Sequence, residues 1–442
     1  MTGRMHLVGI AGSGISALAR WYRSLGWQVS GCDTHPGSIG EELSREGIEV
    51  IEGHDTSHVE GAQLVVYTAA VPLDHVELER ARSLGIRLLR KSEALAELSE
   101  GRELIAVAGA HGKTTTCGMI GWALEKLGRS PTVFVGGRVM EWNSNFRQGG
   151  DPIVMEADEF DRAFLRIRPS VAVVTSFASE HLECYGNEEM LAQAYGIFLE
   201  QTVPGGSVVV PEASKELALW AGRIGRNVRT TGPGGDFDFR KLHQDGKWGT
   251  AYSTNLGLDG RIAVPGRHNV MNAATAFAAL LQYGFAPEEI IEAISGFPGV
   301  SRRLERIGSI GGCDVISDYA HHPEEIEASL RAVRDTCRGP FGVVFEPHLY
   351  SRTARLSGDM ARALLLADWC LILPVYAARE EPISGVDSDL VCSAARGLGL
   401  DCNTAGFDLV GKLIEGRRSG TIVFMGAGLV DELARRLVRE AM

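Results

Sequence analysis

Three consecutive α/β blocks are the fold class this sequence predicts, and three observations carry the prediction. The chain has 442 residues, and at about 150 residues per domain that is two or three domains. Short β-branched runs alternate with helical patterns throughout, the signature of βαβ units around parallel sheets. Two junctions interrupt the alternation, the polar stretch Ser99–Glu103 and the Gly/Pro pair in Phe297–Val300. They divide the chain into blocks 1–99, 100–298 and 299–442.

The first block is expected to hold a strand at His6–Ile10, a helix from Ile15 to Leu25, and strands at Gln28–Gly31 and Leu64–Tyr67. The second opens with the apolar run Leu104–Ala108, a glycine turn and a helix through Leu127. Strands follow at Ile153–Met155, Val171–Val174 and Ser207–Val210. Between Asp236 and Val264, short Gly-, Asp-, Tyr- and Thr-rich segments read as antiparallel hairpins. Helices from Val270 to Gln282 and from Pro287 to Ile294 close the block. The third block places strands at Asp314–Ser317, Gly342–Phe345, Leu371–Leu373 and Thr421–Met425.

Composition excludes several function classes. Hydrophobic residues are 45% and charged residues 23%, the balance of a folded protein rather than a disordered one. With 44 Lys+Arg against 56 Asp+Glu, the net charge of −12 speaks against nucleic acid as a partner. The longest apolar stretch, Ala363–Ala378, is broken by Asp368 and Pro374, too short to span a bilayer. The N-terminus has none of the features of a secretion signal. Eight cysteines are scattered without a CxxC pair and read as reduced thiols of a cytoplasmic protein, not a disulfide framework or zinc site.

Chemistry concentrates at strand-to-helix junctions. Gly12-Ser13-Gly14-Ile15-Ser16-Ala17 fits GxGxxA, and Asp33 ends the next strand. Such a loop lets backbone approach a diphosphate while the helix N-terminus supplies aligned donors. The pattern specifies a nucleotide diphosphate, with UDP, ADP and a dinucleotide all admissible; a tight turn that binds nothing is the bland alternative. Gly109-Ala-His111-Gly112-Lys113-Thr114-Thr115-Thr116 is a shortened P-loop, with Val107 where the full pattern wants glycine. Its glycines can wrap phosphate oxygens, Lys113 can neutralise β/γ charge and the Thr114 hydroxyl can ligate Mg²⁺. Glu156-Ala-Asp158-Glu159-Phe-Asp161 puts carboxylates at the end of a buried strand, where an α/β sheet presents metal ligands and bases. Most charge runs are merely solvated, but the P-loop upstream favours a metal role for at least one of these. Glu180-His181 follows another strand and is a further candidate.

In this order, GxHGKTTT, EADE-x-D, EHLxxY, GRHNxxNA and R-R-x-E resemble the Mur ligases, ATP-dependent amide-forming enzymes of peptidoglycan precursor synthesis. The Gly9–Ser16 loop, Asp318-Tyr-Ala-His321-His322-Pro323, His348-Leu-Tyr-Ser-Arg352-Thr353 and the Val375–Val386 segment look like the branch that adds L-alanine to UDP-N-acetylmuramate. The resemblance covers roughly residues 5 to 430. It implies a Rossmann-like UDP-binding domain, a P-loop ATPase-like central domain and a Rossmann-like C-terminal domain. It also implies that Gly12, Ser13, Gly14, Ile15, Ser16, Asp33 and His111 serve the UDP-sugar. Gly109, Gly112, Lys113, Thr114, Thr115, His268, Asn269, Asn272, Arg303 and Asp318 would serve ATP. Thr114, Glu156 and His181 would hold Mg²⁺, and His348 and Arg352 would receive the amino acid. Lys113, Glu156, His181, Arg303 and His348 would carry the catalysis, in a monomer or weak homodimer.

This chain departs from the family pattern at Glu180, where Asp is usual, at Ala110, where Thr is usual, and at Leu349, where many alanine-adding enzymes have a second Arg. Sibling branches use a carbamylated Lys after the DH motif; this chain has no Lys between Lys126 and Lys215. An acyl phosphate must be shielded from water, and closure of the third block onto the second, hinged at Phe297–Val300, is the expected device. Three rivals stand beside this reading. One is a recycling ligase that attaches a preformed peptide to the same sugar nucleotide. The others are an NAD(P)-dependent dehydrogenase, which leaves the P-loop unexplained, and a non-catalytic nucleotide sensor.

Overall fold

A computed structural model of the chain describes residues 3–178, 182–242, 248–378, 380–417 and 419–442. The first sheet is made of β1 (Arg4–Val8), β2 (Gln28–Asp33), β3 (Glu49–Glu52), β4 (Leu64–Tyr67) and β5 (Arg87–Arg90), in the order β3-β2-β1-β4-β5. All its pairings are parallel. Both faces are covered, Met5 and Leu7 packing to one side and Val8 to the other. That is why Leu7 and Val8 are both buried although they point to opposite faces, and why even His6 in the middle of the strand is fully buried. The strand stops at Val8, earlier than expected, because Gly9 turns at φ +81° and the Gly9 and Ile10 amides donate to the Cys32 carbonyl.

The second sheet contains β6 (Leu104–Ala108), β7 (Pro131–Val139), β8 (Ser144–Arg147), β9 (Gly150–Glu156), β10 (Val171–Val174), β11 (Ser207–Pro211) and β12 (Asn227–Thr231). Its order is β12-β11-β10-β6-β9-β7-β8, parallel except for the β7–β8 hairpin. The chain jumps across β6 on passing from β9 to β10, so the loop after β6 lies at the point where strand order reverses. Open α/β sheets bind their ligands there.

A small sheet follows, of β13 (Phe239–Lys241), β14 (Thr250–Thr254) and β15 (Asp259–Ile262), with β14 and β15 antiparallel as the composition predicts. The last sheet is formed by β16 (Glu305–Ile310), β17 (Cys313–Asp318), β18 (Phe341–Phe345), β19 (Trp369–Ile372), β20 (Asp401–Thr404) and β21 (Thr421–Met425). Its order is β16-β17-β21-β18-β19-β20, with β16 antiparallel. The edge strands β3, β5, β12, β16 and β20 and the β7–β8 hairpin have no counterpart in the sequence expectation. Short half-exposed edge strands give no apolar run to read.

By compactness the chain forms two units: residues 1–239 with 271–297, and residues 240–270 with 298–442. The first and second sheets therefore share a unit. Trp21, on the helix Ser13–Ser24, packs with ring centroids 6.2 Å from Phe134 of β7 and 6.0 Å from Phe146 of β8. One apolar core runs from Met5 through Ala106 and Met155 to Val208.

Candidate functional site

Within the first unit, two glycine loops each connect a central strand to a helix N-terminus. At the first, Gly12 caps the helix Ser13–Ser24 without a side-chain cap bond. The Asp33 carboxylate shapes the turn, accepting the Ala11 amide at 3.1 Å and the His35 amide at 3.1 Å. Ser13 and Gly14 are exposed or nearly so, whereas Ile15 is core and Ser16 is fully buried. The Ile15 and Ser16 amides already donate to the Gly12 carbonyl, and the Ser16 hydroxyl donates to the Ser13 carbonyl at 2.9 Å. The side chains of Ile15 and Ser16 thus build the loop and face inward. Two residues missed by sequence reasoning complete the loop. Asn145 of β8 donates to the Ser13 carbonyl at 2.6 Å and to Ser16 Oγ at 3.0 Å. Lys91 lies so close that a side chain added at Gly14 would come within 3.1 Å of its Nζ.

The second loop leads from β6 into the helix Lys113–Lys126. Gly109 has φ +130° and Gly112 φ +82°, backbone states that favour glycine. A Cβ at Gly109 would sit 2.3 Å from Thr175 Oγ1, and one at Gly112 would sit 2.4 Å from Asn272 Oδ1. The Ala110 amide donates to the Ser176 carbonyl at 3.2 Å, and the His111 amide to Ser176 Oγ at 2.8 Å. The loop is thereby pinned to the end of β10. The helix start has no side-chain cap, so its first amides and dipole are available to an anion.

Lys113 Nζ donates to the Gly109 carbonyl at 2.6 Å and to both Glu159 oxygens at 2.8 and 2.9 Å. Burial opposes its charge, but Glu159, Asp158 and Glu156 outweigh that and hold the ammonium above its ordinary pKa. Burial raises the Glu159 carboxyl in spite of Lys113. The Tyr185 hydroxyl donates to the Glu159 carbonyl at 2.6 Å. The Thr114 hydroxyl lies 3.2 and 3.1 Å from the two oxygens of Glu156, at the end of β9, and the Gly136 amide donates to Glu156 at 2.7 Å. A carboxylate beside a hydroxyl is the hard-oxygen donor set that Mg²⁺ takes. Thr115 is buried at the second helical position. Glu159 was legible only as one of four acidic residues; its buried pairing with Lys113 has no sequence signal. His181 lies outside the described residues, as does Glu180.

The second unit holds the other expected residues. His348 Nδ1 is 3.1 Å from Nη1 of Arg352, in the first turn of the helix Tyr350–Leu364. The His348 ring stacks on Tyr376 with centroids 5.7 Å apart and lies 5.1 Å from that of His321. Leu349, between them, adopts φ +69° and ψ 132°, a strained state for leucine, anchored by its amide to the Tyr376 carbonyl at 2.9 Å. Asp318 is buried and turned inward. It accepts from the Leu304 amide at 2.8 Å, the Ala320 amide at 2.9 Å and Ser329 Oγ at 3.1 Å, while burial raises its pKa. Arg303 stands over the Tyr319 ring, 5.0 Å from its centroid. His268 and Asn269 open the helix Arg267–Leu280, with Asn269 Nδ2 donating to the Pro265 carbonyl at 2.7 Å. His321 and Tyr376 had no assigned role in the sequence reading.

Comparison with protein families matches residues 4–103 to the Mur ligase family, catalytic domain, residues 107–280 to the Mur ligase middle domain, and residues 302–428 to the Mur ligase, glutamate ligase domain. The chain belongs to the Mur ligase family. Among Mur ligases it is 42% identical over 407 residues to the UDP-N-acetylmuramate–L-alanine ligase of Kineococcus radiotolerans, covering 89% of this chain and 86% of that one. It is 36% identical to the same-named enzyme of Syntrophomonas wolfei, over 98% of this chain and 96% of that one. Its fold matches the crystal structure of the UDP-N-acetylmuramate-alanine ligase of Thermotoga maritima with a TM-score of 0.86 and 28% identity, over 99% of both chains. The three-domain α/β reading is therefore correct for this Mur ligase, and the dehydrogenase reading is not.

Proposed function

We propose that this chain joins L-alanine to UDP-N-acetylmuramate at the expense of ATP. The observation that carries this reading is the loop of Gly109–Thr116, where Lys113 and the Thr114–Glu156 pair converge on an open helix start, with a second glycine loop in the same unit. Block 1–99 would take the UDP-sugar, 100–298 ATP and 299–442 the amino acid.

A carboxylate is a poor acyl donor. Its oxygen therefore attacks the γ-phosphorus, the bond to the ADP oxygen breaks, and an acyl phosphate forms. The alanine amine then attacks the acyl carbon, inorganic phosphate leaves, and the nitrogen loses a proton. Lys113 positions phosphate oxygens and opposes their growing charge, with Glu159 holding it meanwhile against Gly109. Gly109, Gly112 and Thr115 wrap the phosphates. Thr114 and Glu156 would hold Mg²⁺, with His181 as the family's further ligand; the ion would supply electrostatic shielding of phosphate charge. Asn272 faces the loop at Gly112, and His268, Asn269, Arg303 and Asp318 are assigned to the nucleotide by family pattern. Arg352 pairs with the alanine carboxylate, and His348, hydrogen-bonded to it, is placed beside the amine. Gly12, Ser13, Gly14 and the loop behind them take the uridine diphosphate, with His111 near the sugar. All eight cysteines are free thiols, which supports a cytoplasmic site of action. Among the described residues, no helix is long and apolar enough to cross a membrane.

The test is purified protein with ATP, Mg²⁺, UDP-N-acetylmuramate and a panel of amino acids and peptides, read by phosphate release and product mass. Alanine-dependent ADP formation is expected. Dependence on a tripeptide instead would make it a recycling ligase, and ATP binding without any phosphate release would make it a sensor.

A further inference from the structure

Beneath the first glycine loop, four elements bring His6, Cys32, His58 and Glu77 together, their donor atoms all within 4.8 Å of one another. His6 lies on β1, Cys32 on β2, His58 on a short 3₁₀ turn (Thr56–Val59) and Glu77 on the helix Val76–Ser83. His6, Cys32 and Glu77 are fully buried. We propose that this cluster is a binding site for a divalent transition-metal ion, zinc by preference, held by His6 Nε2, Cys32 Sγ, His58 Nδ1 and one oxygen of Glu77.

Geometry supports it first. His6 Nε2 is 3.4 Å from Cys32 Sγ and 3.3 Å from Glu77 Oε2, Cys32 Sγ is 3.0 Å from Glu77 Oε2, and His58 Nδ1 is 3.0 Å from Glu77 Oε1. A tetrahedral zinc with N, O and S ligands has edges of about 3.3–3.6 Å; the edges among His6 Nε2, Cys32 Sγ and Glu77 Oε2 are within about half an ångström of that, and those to His58, inside 4.8 Å, would close on binding. One thiolate, two imidazoles and one carboxylate make a mixed donor set suited to zinc, not to Mg²⁺.

The orientation of His6 supports it as well. Its Nδ1 is 3.0 Å from Ser30 Oγ, which lies 3.2 Å from the Met5 carbonyl, so the ring is held with Nε2 turned toward Cys32 and Glu77. Among the described residues, the ion-pair partners of Glu77 are imidazoles. Glu77 keeps the Asp55 amide on Oε1, 3.2 Å away, leaving Oε2 for the ion. His54 Nδ1, 3.3 Å from the sulfur with its other nitrogen 3.2 Å from Thr34 Oγ1, stands ready beside the cluster.

Burial and the bond to Glu77 raise the Cys32 thiol above its ordinary pKa, so the thiol is protonated before the ion arrives. Binding breaks the S–H bond, forms a sulfur–metal bond and releases one proton to buffer. The mechanical consequence falls on the loop above, because the Cys32 carbonyl holds the Gly9 and Ile10 amides at 2.9 and 3.0 Å.

The test uses the full chain, stripped with chelator and desalted, then titrated with zinc and separately with cobalt. One tightly bound equivalent is expected, with a thiolate-to-cobalt charge-transfer band, proton release on binding, and slower hydrogen exchange at Gly9 and Ile10. Cys32→Ser should abolish the band and weaken zinc at least 100-fold, whereas Cys392→Ser should not. His58→Gln repeats the test from a less buried position, should Cys32→Ser fail to fold. No zinc retained, or zinc retained equally by wild type, Cys32→Ser and His58→Gln without a thiolate band, overturns the proposal.

Discussion

The two glycine loops of the first unit are the same local device put to different use. Each runs from the central strand of a parallel sheet into an uncapped helix start, and each is shaped by a neighbouring strand end: Asp33 at the first, Thr175 and Ser176 at the second. They differ in the charge delivered. The second loop carries its own lysine, and β9 brings Glu156 and the residues after it alongside, making a place for a metal ion and a transferring phosphoryl group. The first loop carries no charged side chain between Gly9 and Ser16. Its cation, Lys91, comes from a distant helix start, and Asn145 of the other sheet braces it. A loop with a helix dipole and one borrowed cation can hold a diphosphate but has nothing with which to move one. The comparison teaches that one glycine pattern can shape two loops alike while the adjacent strand ends decide which charges stand beside each.

The largest effect should come from breaking the second loop alone. Lys113→Ala is expected to reduce phosphate release by about 10³-fold or more, while calorimetry shows UDP-N-acetylmuramate binding intact. Loss of UDP-sugar binding in that variant would remove the contrast between the loops.

A second effect should spare both loops. Burial drives the His321 pKa from 6.5 to about 4, with Arg352 and Arg303 adding to the fall and Glu325 opposing it. The unfolded chain then binds more protons than the folded one between those values. Stability is therefore present in full above pH 6.5 and is lost as pH falls toward 4, by about 2–3 kcal/mol. Chemical denaturation across that range should show the slope, and His321→Gln should flatten it. An unchanged slope would place the acid-sensitive group elsewhere.

Asn145→Ala probes the brace between the sheets. Removing a buried amide that donates to Ser13 and Ser16 and meets Arg20 at 2.6 Å should cost about 1–2 kcal/mol in unfolding free energy. It should also raise the KM for the UDP-sugar with little change in that for ATP. Equal changes in both would mean that the brace serves the unit, not the first loop.

The smallest effect mirrors the first. Lys91→Ala should weaken the UDP-sugar by roughly tenfold, a partly exposed cation being worth about 1 kcal/mol, with ATP binding unaltered. A larger loss for ATP would reverse the assignment of the loops.

Legibility followed locality. The strands Leu64–Tyr67, Leu104–Ala108, Val171–Val174 and Thr421–Met425 were readable to the residue, and both glycine loops were readable as strand-to-helix junctions. Each is a contiguous pattern whose periodicity or spacing states its own geometry. The β7–β8 hairpin was not, because its meaning lies in Trp21 more than a hundred residues earlier. Eight scattered cysteines without a CxxC pair read as inert thiols. Yet Cys32 meets His6, His58 and Glu77 from three other elements, a constellation that no spacing rule encodes.

What the sequence determined by itself is therefore the class of fold, the family and the two glycine loops, since these depend on contiguous residues and on helix and strand periods. Tertiary structure alone decided which side chains of those loops face inward, which lysine lies beside the first loop, which carboxylate holds Lys113, and what gathers around Cys32. The physical reason is that a buried charge or lone pair is satisfied by whatever packing brings near, and packing joins residues without regard to their distance along the chain.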